Sequence, residues 1–152
     1  MKDQRETTVS DVLRPLKLAI LFSVLGEAVI LLFWGVILHP DGNMLHKFLW
    51  TIIFCGIGMG ATTGAFIDFL VVGKLKGISA IVGCVVISIV LLGLSCNFLC
   101  HNLDMYFNFF GGSDTPDLFI WNGIIMSAFG GAIVGWLCFT EKGISILDRY
   151  KI

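Results

Sequence analysis

The side chains able to do chemistry in this chain fall into two groups separated in depth. The first is a lone carboxylate, Glu27, about eleven residues from either end of the apolar run Leu16–Leu38. A run of about 23 residues at ~1.5 Å each crosses a hydrocarbon core of ~30 Å, which places Glu27 near the midplane. A charge at that depth costs roughly 2.5–3.5 kcal/mol on insertion scales, so the neutral acid, a hydrogen-bond donor, is favoured. Thr62, Thr63, Ser88 and Ser127 offer hydroxyls at similar depth on the other apolar runs. Two readings stand: an ion- or proton-handling carboxylate, or a structural Glu bonded across helices or paired with a cation from a neighbouring subunit.

The second group comprises His39, Asp41, His46, Cys96, Cys100 and His101, all near one end of the apolar runs. Imidazole and thiolate together suit copper or zinc, the cofactors this reading admits. The spacing matches no established metal, haem or dithiol motif, and Cys96 and Cys100, four apart on a helix, would make a strained disulfide. The alternative is that the cysteines act as small hydrophobes and the histidines line a wet interface.

The elements that position these groups follow from hydropathy. Hydrophobic residues make up 57% of the chain and charged residues 14%, too little charge to cover a soluble domain of this size. Four segments are long and apolar enough to span: 16–38, 48–72, 77–99 and 118–139. Strand-like alternation is missing, so the expected fold is an all-α integral membrane protein, a four-transmembrane-helix bundle. The first run is too long for a signal peptide and lacks a small-x-small cleavage pattern, so it reads as a retained anchor. Of the 10 Lys and Arg, only Lys47 falls on the far side of such a bundle. The positive-inside rule then places both termini and the Gly73–Lys76 turn in the cytoplasm of a multi-pass protein of a plasma or inner membrane.

Residues 1–13 read as a cytoplasmic tail, with Ser10-Asp11 as a helix N-cap and Pro15 at a first helical position. Span two carries Gly56, Gly60 and Gly64 at intervals of four, and span four carries Gly131 and Gly135; such small-residue faces let helices approach closely. An offset of 71 residues aligns Trp50 with Trp121, Gly60 with Gly131, Ala61 with Ala132 and Gly64 with Gly135, the pattern of a two-hairpin repeat. The outer loop after span three is aromatic: Tyr106, Phe107, Phe109 and Phe110 suit docking to another protein or to lipid headgroups. Residues 140–152 alternate apolar and polar, as an interfacial helix or partner-binding cytoplasmic tail would.

Nucleotide loops, HExxH and GxSxG are all missing, as is a basic aromatic surface for nucleic acid. The expectation is a protein without catalytic activity of its own. Three functions fit: an accessory subunit of a larger membrane complex, packing by its glycine faces and aromatic loop against other subunits and lipid; a small homo-oligomeric transporter or channel component using Glu27; or a metal- or redox-active protein using the outer His, Asp and Cys.

Overall fold

The computed structural model describes residues 9–33, 37, 49, 51–107 and 116–152. Among these every regular element is helical. Helix α1 is Val9–Leu31, α2 is Met59–Leu70, α3 is Ile78–Ser88, α4 is Asn97–Phe107, α5 is Pro116–Phe139 and α6 is Glu141–Tyr150. Two π-helical stretches, Ile52–Gly58 before α2 and Ile89–Cys96 between α3 and α4, widen the turns of the second and third rods. Ser95 follows that wider pitch, its hydroxyl donating to the Val90 carbonyl five residues back at 3.0 Å.

Two stretches, Ile52–Leu70 and Ile78–Ser95, are long and apolar enough to cross a membrane. A third joins them if Gly123–Phe139 and Glu141–Tyr150, bent 85° from each other, are taken together. The chain is an all-helical protein with the composition of a membrane protein.

Helix α1 begins at Val9, so Pro15 lies inside the helix rather than at its start, and Val9–Leu13 belongs to the helix instead of an irregular tail. Proline keeps a helical φ and sacrifices one backbone bond, and here its ring is fully buried. The third rod likewise runs on past residue 99. Cys100–Phe107, expected as loop, continues the helix through α4 because no Gly or Pro interrupts it.

The rods pack antiparallel in pairs. Along the first pair, a Cβ placed on Gly56, Gly60 or Gly64 would stand 3.1, 2.8 or 2.5 Å from the Cα of Val24, Ile20 or Leu16. Both sets step by four, so one ridge of α1 lies in the groove the glycines leave. Along the second pair, a Cβ placed on Gly131 would stand 2.8 Å from the Cys84 carbonyl and from Ser88 Oγ, and one on Gly135 would stand 2.8 Å from Ile81 Cα. These are backbone-to-backbone approaches that alanine would block, and at all five positions the facing helix belongs to the same chain.

A core of Leu18, Ile67, Val71, Ala80, Cys84, Val134 and Leu147 joins the rods at the end where the chain enters and leaves. The α2–α3 connection sits at this end, turned by Gly73 (φ 75°) and Gly77 (φ 59°), values in the left-handed region. Lys74 Nζ donates to the Phe69 carbonyl at 2.7 Å and lies 4.5 Å from the Phe69 ring centroid, closing the C-terminus of α2.

Helix α6 turns across this end. Thr140 caps it in both directions: its Oγ1 accepts from the Gly143 N–H at 3.1 Å and donates to the Trp136 carbonyl at 2.7 Å. Glu141 in the first turn and Arg149 in the last oppose the helix dipole. Gly143 lies so close to the last turn of α5 that a Cβ there would meet Leu137 Cα at 2.5 Å. Arg14 of α1 bridges to the Asp148 carboxylate and donates through Nε to the Ile152 carbonyl at 3.0 Å, tying the first helix to the last.

Candidate functional site

Glu27, Ser88 and Ser127 meet at one cavity. It has a volume of about 330 Å³ and lies between α1 and α5, with Ser88 and Leu92 of the third rod at its back. The cavity forms because α1 and α5 both present small residues there. A Cβ built on Gly26 or on Gly130, both lining residues, meets nothing within 4 Å. These two glycines leave room, whereas those of the first pair of rods admit a neighbouring backbone. The rim residues Leu25, Val29, Met126 and Phe129 are exposed, so the cavity opens sideways between α1 and α5.

The polar groups in this apolar chamber differ in what they can still do. Ser127 Oγ donates to the Gly123 carbonyl at 2.5 Å and lies 3.1 Å from that of Ile124; Gly93 across the interface has no side chain to displace it. Ser23 Oγ donates to the Ala19 carbonyl at 2.6 Å. Both hydroxyl protons are used on the helix backbone, which leaves the oxygen lone pairs for anything that enters. Ser88 is 2% exposed at the back of the chamber, its hydroxyl packed against Gly131 of α5. Glu27 is the ionisable residue lining the chamber.

The other hydroxyls expected at this depth lie elsewhere. Thr63 is fully buried in α2 and donates to the Met59 carbonyl at 2.8 Å; Thr62, on the outer side, donates to the Gly58 carbonyl at 3.0 Å. Back-bonding within their own helix satisfies both. Ser23 was missed by sequence reasoning, although its place one turn before Glu27 on the same helix face is a usable signal.

His39, Asp41, His46, Phe109 and Phe110 lie outside the described residues, as do the side chains of Cys96, Cys100 and Phe107. His101 is half-buried and Tyr106 is 83% exposed on α4. Among the described residues no three His, Cys, Asp or Glu side chains converge as metal ligands. Asp68 makes no ion pair with Lys17, and its Oδ1 is buried without a hydrogen-bond partner among the described residues. No protein-family model, curated protein or solved structure matches the chain.

Proposed function

We propose that this protein is a small four-span membrane protein that binds and moves a small, mostly apolar molecule through the Glu27 cavity, as a homo-oligomeric transporter component. The observation that carries this reading is the convergence of Glu27, Ser88 and Ser127, from three different rods, on one chamber. An ionisable group in an apolar span is costly and faces a bundle interior or a pathway when it is retained. A chamber open toward lipid on one side gives a route for an apolar solute, and a second copy against that side would complete a pathway that one bundle has little room to form.

The four spans of this reading are the rods containing α1, α2, α3 and α5. Helix α6 then lies flat at the membrane surface, with Leu147 in the core and Glu141, Lys142, Ser145 and Arg149 toward water. Arg14, Lys17, Lys74, Lys76, Lys142 and Arg149 all belong to the end closed by α6, which supports a cytoplasmic location for that end and for both termini.

A second reading, an accessory subunit of a larger complex, is favoured by the aromatic surface of α4, where Phe98 is 72% and Tyr106 83% exposed. The five glycines at intervals of four face helices of the same chain, so the aromatic surface is what this reading has for docking. Native mass spectrometry after mild extraction separates the two. The transporter reading expects copies of this chain alone, carrying a non-covalent small molecule lost in Glu27→Gln. Stoichiometric association with different, larger subunits, without bound ligand, overturns it in favour of the second.

A further inference from the structure

We infer that helix α6 docks anionic phospholipid headgroups through one flank, formed by Lys142, Ile146, Arg149 and Tyr150. This rests on α6 lying at the membrane surface, as proposed above, and adds which lipid it meets and through which side chains. The 85° bend between Gly123–Phe139 and Glu141–Tyr150 turns α6 crosswise to the preceding helix at its apolar end. Buried Gly143 and Leu147, one turn apart, mark the line of α6 that faces the bundle.

The two sides of that line differ in charge. Going round the helix at 3.6 residues per turn, one side presents Tyr150, Ile146, Lys142 and Arg149 in that order, and the other presents Ile144, Asp148 and Glu141. Cations border the first flank and acids the second, where the Asp148 carboxylate is already engaged by Arg14. Tyr150 stands only about 40° around the helix from the buried line, yet it is 70% exposed. A side chain turned toward the bundle end and not covered by it projects beside the bundle, where the bilayer lies. Ile146, 39% exposed, continues the same apolar strip. A water-soluble partner protein has no access to a flank turned toward the bilayer.

Tyrosine suits this level, its ring toward the acyl chains and its hydroxyl toward water. The Lys142 and Arg149 stems can lie along apolar surface while their charges reach the phosphates. In phosphatidylcholine the choline offsets the phosphate charge, whereas an anionic headgroup keeps its net negative charge for these two cations. One Lys or Arg beside an anionic surface is worth about fivefold in affinity.

The test places the photoreactive residue benzoylphenylalanine at Tyr150 of the full chain, in nanodiscs of equal phosphatidylcholine and phosphatidylglycerol. Illumination is followed by mass spectrometry of the adducts. The expected result is lipid adducts with phosphatidylglycerol in about fivefold or greater excess. Lys142→Gln with Arg149→Gln should abolish the excess. Lys74→Gln with Lys76→Gln, which removes cations of the α2–α3 connection at the same end, should preserve it. Equal adducts of the two lipids in the otherwise unmodified chain, or an excess lost only with the Lys74 and Lys76 substitutions, overturns the assignment to this flank while leaving α6 at the bilayer. Adducts to protein, or none to lipid, remove the surface placement of α6 itself.

Discussion

Glycine has two opposed roles in these helices, and one pair of substitutions separates them. Gly60→Ala places a methyl 2.8 Å from Ile20 Cα, 2.9 Å from Ser23 Oγ and 3.0 Å from the Ala19 carbonyl. Carbon contacts are optimal at about 3.5–4.0 Å, so α1 and α2 must part by about 0.7 Å or more, against backbone that has no rotamer to yield. Overpacking of this kind costs roughly 1–3 kcal/mol, against about 1 kcal/mol gained from replacing glycine within a helix. Gly130→Ala makes no contact within 4 Å and keeps only the helix-propensity gain. The assay is thermal unfolding in mild detergent, followed by tryptophan fluorescence and circular dichroism. Gly60→Ala should lower the midpoint by several degrees, and Gly130→Ala should leave it unchanged or raise it. Equal effects of the two, or a stable Gly60→Ala with an unchanged midpoint, would refute the close-packed α1–α2 interface.

The tie between the chain's two ends gives a second expectation. Arg14→Ala removes the Asp148 pair and the bond to the Ile152 carbonyl, and should speed backbone hydrogen exchange in residues 143–152 while leaving α2 and α3 unchanged; Arg14→Ala with Asp148→Asn should be no worse than Arg14→Ala alone. At the α5–α6 corner, Thr140→Ala loses the N-cap, a cost of about 1 kcal/mol, whereas Gly143→Ala collides with the backbone of Leu137 and should detach α6 altogether, seen as protease cleavage after Lys142. For orientation, cysteines substituted at Lys76 or Lys142 should react with a membrane-impermeant maleimide only from the cytoplasmic side; reaction from the opposite side inverts the assignment.

The apolar rods were legible because the hydrocarbon requirement acts on composition and length, which a single chain displays directly. Their ends were less so. Pro15 resembles a helix start by residue type, yet the helix runs back to Val9 and the proline ring is buried within it. The same holds for Asn97–Phe107, where aromatic residues resemble a loop surface but nothing local stops the helix. At the candidate site, the depth of Glu27, Ser88 and Ser127 could be read from position within each run. Which of the four hydroxyls shared its chamber could not, since that depends on how the rods are rotated; Thr62 and Thr63 turn away and bond their own backbone. The glycine intervals announced close approach but not the partner, and Gly26 and Gly130 are apart from the regular pattern because their role is the space they leave.

The central claim, that Glu27 lies in a chamber reachable from the lipid, is tested most directly by the rate at which the apolar reagent dicyclohexylcarbodiimide modifies Glu27 in native membranes, read by peptide mass spectrometry. The account predicts a Glu27 adduct in the unmodified chain and a much slower reaction in Gly130→Leu, whose side chain fills the chamber without touching the α1–α2 interface. An unreactive Glu27, or a rate unaffected by Gly130→Leu, would contradict it.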